Sequence, residues 1–412
     1  MTDLLIVGGG PAGMMAGLLF ARAGARVRVI EKHRDFLRDF RGDTVHPSTM
    51  DVFGQLGMLD RFLNRPHQRL QRAELRIAGR DMIVGDLSHI ASATRFIALM
   101  PQWDFLDFLR EEANRFPGFS LTMGVPVDRA IEEDGRISGV RLQSGEIVRA
   151  RLVIAADGRR SFVRRERLLP LHDLGSPIDV FWFELPKRTA EQGALQIAVE
   201  RGRILVRLDR GKYWQCAFVI PKGQGPAFRS AGIAAVRSEI EAVDSRLGSP
   251  SEDLTSFDQL NLLEVSLDRL SRWHRSGLLA IGDAAHAMSP MGGVGINLAI
   301  QDAVAAANAL AGPMAEGRSV DDLLGEVQKR RMLPTRIVQA AQRIAQERIL
   351  GQVIGPGPRL TRAPLLIRLL DRVPLLRRIS GRRSGLASGA SGCVARTPTT
   401  ERCPRPASRL RG

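Results

Sequence analysis

The first thirty residues switch between two hydrophobic periods. Residues 3–7 form a short, nearly unbroken apolar run, the pattern of a strand buried on both faces. Glycines interrupt it. Residues 14–23 then read as a helix that Gly24 ends, and residues 26–30, alternating and rich in valine and isoleucine, as a second strand. The unit is about 30 residues long, the size that a parallel strand–helix–strand crossover requires.

Further along, residues 41–63 read as a loop followed by a helix carrying Met50, Val52, Phe53, Leu56 and Met58. Residues 103–113 space Phe105, Leu106, Phe108 and Leu109 for one helical face, and residues 119–155 read as strands with turns at Asp134-Gly135 and Ser144-Gly145. Between residues 172 and 270 alternating strands dominate (180–185, 204–208 and 214–220), which predicts a smaller antiparallel domain. A buried strand returns at 278–281, followed by a glycine-rich loop, a helix over 296–310 and further helix within 320–350. Beyond Ile379 glycine, serine, proline, threonine and arginine prevail, and the few large apolar residues predict a disordered tail.

Composition bounds the function. The chain has 412 residues, 44% of them hydrophobic, enough for a large core, and no apolar run reaches the roughly 18 residues of a membrane span. No basic, apolar leader precedes the first strand, so a cytoplasmic protein is expected. The net charge of +16 is concentrated: residues 376–412 hold nine arginines against one acid, Glu401, which is half the excess. No basic run is interleaved with aromatics, so nucleic acid is not an expected partner. Three cysteines, Cys216, Cys393 and Cys403, form no CxxC pair, disulfide framework or metal-ligand set, and Cys216 reads as a core residue. Residues 359–379 alternate arginines with leucines and an isoleucine. That stretch reads either as a helix packed on its own domain or as a weak contact with a membrane surface.

The glycine cluster carries the first chemistry. Gly8, Gly10 and Gly13 make a G-x-G-x-x-G that follows a strand, opens a helix at Pro11 and Ala12, and is answered by Glu31 with Lys32 at the end of the next strand. Gly8 allows the tight turn, Gly10 lets a diphosphate approach the backbone, and Gly13 lets helix and strand pack closely. The helix N-terminus offers unpaired N–H groups to phosphate. Glu31 can accept from a ribose diol and would repel a 2′-phosphate.

Two later segments complete the picture. One is Val153, Ile154, Ala155, Ala156, Asp157, Gly158, Arg159, Arg160 and Ser161, with Val163 and Arg164. The other runs from Gly282 and Asp283 through His286, Pro290, Gly292, Gly293, Val294, Gly295 and Ile296 to Asn297 and Asp302. These segments are similar to the Asp-Gly and Gly-Asp motifs of flavoprotein hydroxylases, and the chain over roughly residues 3–375 resembles the single-component, class A flavin monooxygenases of the para-hydroxybenzoate hydroxylase type. Asp283 ends an apolar strand, where its carboxylate can meet a ribityl hydroxyl or a main-chain N–H. The Gly292, Gly293, Gly295 loop forms a nest suited to the electron-rich edge of a flavin, with Asn297 able to add a polar contact. By similarity alone, Arg41 and Gln102 would touch the cofactor, and Asp157 and Gly158 would bridge structure, cofactor and possible nicotinamide donor.

The resemblance implies an α/β fold: a Rossmann-like FAD-binding domain (1–75, 98–172 and 272–350), an inserted antiparallel-sheet substrate domain (76–97 and 173–271), C-terminal basic amphipathic helices (351–378) and the tail (379–412). It further implies FAD as cofactor, NAD(P)H and O2 as co-substrates, and a flavin C4a-hydroperoxide that hydroxylates or epoxidises an apolar small molecule. Such chemistry needs no protein acid or base. No catalytic residue is assigned; His46 is a weak candidate for lining the substrate site, and His286 for supporting the Gly-Asp loop. Phe181, Trp182, Phe183, Trp214 and Phe218 would build an apolar wall for an aromatic, polyketide or isoprenoid ligand. Tyr213 is the sole tyrosine, so the paired tyrosines that activate simple phenols are lacking. A dehydrogenase or reductase of the same fold is the alternative reading, and a non-catalytic flavin-binding protein a further one. Disulfide reductases fit poorly, since neither a second G-x-G-x-x-G nor a CxxxxC is present, and the W-x-W-x-I-P of halogenases is missing.

Overall fold

The computed structural model describes residues 2–37, 44–77, 80–187, 195–200, 203–243 and 252–347. Arg41, the basic stretch 359–379 and the tail lie outside them. The first strand, β1 (Thr2–Val7), runs into α1 (Pro11–Arg22) and then β2 (Val27–Ile30). Strand β1 pairs in parallel with β2 on one side and with Ile147–Ala155 on the other. The strands Phe119–Thr122 and Leu278–Ala280 extend the parallel sheet outward, each parallel to its neighbour.

Alternate residues of these strands enter two different cores. Leu4, Ile6, Val27, Val29, Leu152 and Ile154 face α1 and the helices Gln102–Ala113 and Gly295–Ala315. Leu5, Val7, Ile30, Val153 and Ala155 face the opposite cluster, with Ile137, Val140, Phe162 and Trp273. Burial on both faces explains why the sequence shows apolar runs here. The long Met291–Ala315 segment is apolar enough for a membrane crossing (hydropathy 1.3), but 78% of its most apolar window is buried inside the protein, where it acts as a core helix.

A second, seven-stranded sheet is mostly antiparallel and takes in Arg72–Ile77 and Arg80–Asp86 alongside Leu195–Glu200, Arg203–Asp209, Tyr213–Pro221, Ile178–Pro186 and Asn261–Leu263. Two helices, Gly225–Ala231 and Ile233–Val243, cover one of its faces; the sequence pattern read from 172 to 270 did not anticipate them. A three-stranded sheet (Thr44–Val45, Ile97–Leu99, Gln68–Leu70) lies between the two large ones. The helix Leu324–Ala345 closes the described structure against Gly295–Ala315.

Candidate active site

The chain returns to β1 from both sides, β2 on one and Ile147–Ala155 on the other, so the carboxyl ends of β1 and Ile147–Ala155 form the topological switch point at which open parallel sheets bind ligands. The fingerprint sits there. Gly8 has φ +109°, and a Cβ on it would lie 2.4 Å from the Ala156 carbonyl oxygen; only glycine turns here and passes the neighbouring strand end. A Cβ on Gly13 would lie 1.9 Å from the Gly8 oxygen, which is how closely α1 rests on β1. Gly10, by contrast, has nothing within 4 Å of an added Cβ: the space above it is open, as a diphosphate requires. Gly10 is the N-cap of α1 and Pro11 opens it, and no side chain caps the helix, which leaves the first-turn N–H groups, Ala12's among them, to a ligand. Glu31 is buried. It accepts from the Gly9 N–H (2.7 Å) and the His33 N–H (3.0 Å), which shapes the turn. Lys32 is exposed beside it.

Asp157, two residues past the neighbouring strand, accepts from the Phe162 N–H through Oδ2 (2.9 Å), while its buried Oδ1 has no protein partner. Burial pushes this carboxyl up, against the pull of Ser161, the Phe162 N–H and Lys32. A buried acceptor left open at the switch point fits a ligand that donates, as a dinucleotide hydroxyl does. The open cradle at Gly10 and the uncapped helix fit the same ligand.

The Gly-Asp motif is bolted to this end of the sheet by two arginines. Arg159 Nε pairs with Asp283 Oδ2 (3.2 Å) and its Nη2 donates to the Met288 carbonyl (2.9 Å). Arg164, far from being a surface residue, pairs with Asp268 (2.8 Å), both side chains under 10% exposed, and donates to the Asp283 and Ala284 carbonyls. Asp283 remains about one-third exposed and faces the open end. His286 does support the motif from below: its Nε2 lies 2.6 Å from Asp302 Oδ2, and Asp302 also pairs with Arg331 (2.7 Å) and accepts from the Gly282 N–H (3.0 Å), all in the core.

The glycine loop is a turn over Met291–Gly293 with Pro290 as its N-cap, running into Gly295–Ala315, whose N-terminus also has no side-chain cap. Gly293 has φ +60°, and a Cβ on it would lie 2.2 Å from Thr44 Oγ1, which instead donates to the Gly293 carbonyl (2.7 Å). Asn297 is used differently from the sequence expectation. Its Oδ1 accepts from the His46 N–H and from Thr49 Oγ1 (2.8 Å each), and its Nδ2 donates to the Thr44 and Gly293 carbonyls (3.2 Å each). All four capacities of the amide are filled, so Asn297 staples residues 44–49 to the glycine loop and has no polar capacity left for a ligand. Ile296 packs into the core and Val294 is half-buried. Gly292 lies exposed at the tip and Gly295 opens the helix. Gly158 follows Asp157 with open space around it. His46 stands at the N-cap position of the helix Pro47–Gln55 with its ring buried and no side-chain cap, and Gln102, half-buried, opens Gln102–Ala113.

The expected aromatic wall divides. Phe181, Phe183, Trp214 and Phe218 all point into the cluster under Gly225–Ala231 and Ile233–Val243, and serve as core. Trp182 alone of the five points the other way. It packs against the cluster that holds Val180 and Val219, as Met291 of the glycine turn also does, and against the cluster of Leu70 and Leu99 in the small sheet whose opposite edge strand is Thr44–Val45. Strand alternation makes such a division obligatory; the two helices decide which half is core. Thr44, Thr49 and Arg331 are supports that motif reading missed, and the clamping partners of Arg159 and Asp302, which stand in the motifs, were equally hidden because they lie far away in sequence.

A cleft of about 440 Å³ at the amino ends of the strands is lined by Arg136, Arg149, Arg151 and Arg318. Each of these is already engaged, with Asp321, Glu133, the 317–318 carbonyls and Glu316 respectively. It is remote from the switch point and forms no part of the site.

Comparison with known proteins agrees with this geometry. A family described as "FAD binding domain" matches residues 1–341. The 6-methylpretetramide 4-monooxygenase of Streptomyces rimosus is 34% identical over 311 residues, 74% of each chain. The rifampicin monooxygenase of Streptomyces venezuelae is 28% identical over 74% of this chain, which spans only 62% of that longer protein. Among solved structures, PqsL of Pseudomonas aeruginosa superposes with a TM-score of 0.72 (21% identity, 86% of this chain and 97% of that one). The p-nitrophenol 4-monooxygenase of Pseudomonas putida superposes at 0.70 (20% identity, 94% and 95%). At those identities the structures establish the shared fold. With the fingerprint at the switch point, both later motifs clamped beside it and the match running from residue 1 to 341, the chain belongs to the FAD-binding family of flavin-dependent monooxygenases.

Proposed function

We propose that the enzyme uses NAD(P)H and O2 to hydroxylate or epoxidise a flat, apolar molecule of the aromatic polyketide class. For hydroxylation the balance is one C–H bond, O2, NAD(P)H and a proton giving C–OH, NAD(P)+ and water. Bound FAD would supply the redox chemistry. Gly8, Gly10, Pro11, Ala12, Gly13, Glu31, Asp157, Gly158 and Asp283 would hold its dinucleotide part; the turn at Pro290, Gly292, Gly293, Val294 and Gly295 would hold its ring, with Ile296 acting through its main chain.

One observation carries the substrate reading. Trp182 of the antiparallel sheet and Met291 of the glycine turn, both only partly buried, offer apolar surface over one cluster that includes the buried Val180, while Phe181, Phe183, Trp214 and Phe218 belong to the core on the other face of that sheet. Such a surface excludes water from the reacting centre and favours a fused-ring substrate over a charged one. The relative at 34% identity, whose name gives a polycyclic polyketide as substrate, supports the same class. The chain itself moves no proton in this reading, and His46, buried at the start of the helix Pro47–Gln55, would lie beside the substrate space.

The test is NADPH and NADH oxidation in air by FAD-loaded protein, with peroxide measured alongside. Slow oxidation that yields peroxide, accelerated by a tetracyclic aromatic polyketide with less peroxide per reduced nicotinamide, is expected. Reduced flavin that persisted in air would sink the reading in favour of a dehydrogenase.

A further inference from the structure

The helix Leu324–Ala345 buries a polar stripe beside its buried Leu324, Val327 and Val338. Its inward stripe carries Arg331, Thr335, Gln339 and Gln342, continued by Gln346 just past its end, all buried, while Leu333, Ile337 and Ile344 are 64%, 59% and 48% exposed. A core helix normally buries its apolar stripe. This one presents amides at spacings of three and four residues, and each amide reaches one stretch of extended backbone, the segment that leads into the glycine turn. Gln339 Nε2 donates to the Asp268 and Ala287 carbonyls (2.7 and 3.2 Å), and its Oε1 accepts from Arg269 (3.0 Å). Gln342 Nε2 donates to the Ser289 and Met291 carbonyls (3.0 and 2.9 Å), and its Oε1 accepts from the Ser289 N–H (3.2 Å). Gln346 Nε2 donates to Ser289 Oγ (2.7 Å), which in turn accepts from the Met291 N–H (3.3 Å).

We propose that Gln342, backed by Gln346, is a positioning residue for the flavin site: it fixes the main chain of Ser289 and Met291, and so sets the direction in which the Met291–Gly293 turn, closed by the Gly293 N–H on the Pro290 carbonyl (3.1 Å), delivers the uncapped N-terminus of Gly295–Ala315. The inference rests on the reading that FAD binds at this turn. Residues 287–291 have few partners of their own kind. Only His286–Ala287 pairs as strand, so from Ser289 onward the glutamines replace a missing neighbour strand. A bidentate amide holds both donor and acceptor of one residue, as a strand would, but it also bonds two carbonyls two residues apart and so fixes the direction in which the chain enters the turn.

Gln339 provides the internal control. It makes three hydrogen bonds, as Gln342 does, but its main-chain partners end at Ala287, four residues before the turn begins to close. The experiment compares full-length Gln342→Leu and Gln339→Leu by urea denaturation, FAD titration and the visible absorption and circular dichroism of the bound flavin. The two variants should lose similar stability. Gln342→Leu should weaken FAD binding at least tenfold and shift the flavin bands, while Gln339→Leu keeps the affinity within threefold and the bands in place. Gln346→Leu, which removes one bond, should shift the same bands with a smaller loss of affinity, and it carries the test if Gln342→Leu does not fold. Equal losses in the two principal variants, or an unaltered flavin spectrum in Gln342→Leu and Gln346→Leu, would overturn the proposal and leave the glutamines as ordinary structural bonds. A wild-type chain that never held FAD would overturn the underlying reading instead.

Discussion

Replacing Gly10 by alanine separates the cost of folding from the cost of binding. Gly10 has φ −75° and ψ −177°, a conformation open to any residue, and a methyl group there meets no atom within 4 Å. Alanine caps a helix less well than glycine by some tenths to about 1 kcal/mol. Restricting the unfolded chain returns about 0.4–1 kcal/mol. The apo-protein should therefore change by no more than about 0.5 kcal/mol, which for a chain of this size moves Tm by about 2 °C or less. The same methyl occupies the space through which a diphosphate would approach the first-turn N–H groups of α1. The loss of FAD affinity should be about 100-fold or more, equivalent to roughly 2.7 kcal/mol. Gly13→Ala provides the contrast. Its methyl would lie 1.9 Å from the Gly8 oxygen. Neither atom is at the end of a flexible side chain, so helix and strand must part, at about 1–3 kcal/mol or more, and the apo-protein itself should melt earlier. The assays are thermal denaturation of the apo-proteins and titration of FAD by its fluorescence. A Gly10→Ala protein that bound FAD within threefold of wild type would refute the placement of the diphosphate over Gly10.

Three other perturbations follow from named contacts. Arg164→Met strands a buried Asp268 and frees two carbonyls of the Gly-Asp motif, so it should cost about 3–5 kcal/mol in denaturant titration; a loss under 1 kcal/mol would mean the pair is solvated. Asn297→Ala removes four hydrogen bonds that join residues 44–49 to the glycine loop and should cost about 2–3 kcal/mol in apo-protein stability. An unchanged Tm with weakened FAD binding would instead make Asn297 a direct ligand. For Asp302, burial raises the carboxyl, and His286 and Arg331 outweigh that, leaving it below the ordinary carboxylate range. A depressed carboxyl contributes stability that is present above its unfolded pKa of about 3.9 and is lost as pH falls through the folded value. The stability gap between wild type and Asp302→Asn should hold steady from about pH 7 to 5 and shrink below about pH 4. A gap unchanged at low pH would show that the charge on Asp302 is not what the network uses.

What the sequence disclosed and what it concealed divide along one physical line. Interactions within a local unit write a period or a motif. Residues 3–7 read as a doubly buried strand because both of its faces enter cores, and the turn at Gly8 and the close packing at Gly13 were legible because their steric demands come from each other and from the adjacent strand end. Interactions across the fold leave no such trace. Asn297 could as easily have faced a flavin as Thr44 and Thr49, which are some 250 residues away in the chain. Phe181 and Trp182 are equally aromatic, and alternation says only that they point in opposite directions. Which of them meets the cofactor side depends on Gly225–Ala231 and Ile233–Val243, whose own signal, Val236, Ile240 and Val243 at helical spacing, was outweighed by the strands around it.

The same division bears on how the cofactor site is made rigid. Four segments far apart in sequence meet at it: residues 8–13, 44–49, 156–159 and 282–297. Each is tied by contacts within the protein, the Glu31 carboxylate on the Gly9 N–H in the first, Asn297 between the second and the fourth, Arg159 and Arg164 between the third and the fourth. The ligand-facing positions, in contrast, are bare: no cap on α1 or on Gly295–Ala315, no partner for Asp157 Oδ1, open space over Gly10. Supports made by protein groups alone hold these segments in place without contacts to a ligand. FAD then need not pay to order the loops, and its binding adds to stability by mass action, about 2.7 kcal/mol at a hundredfold excess over Kd. That gain should be nearly the same in any variant that leaves alone both the bare positions and the supports that aim them. It should fall where a bare position is filled, as in Gly10→Ala, or where a support such as Gln342 behind the glycine turn is removed.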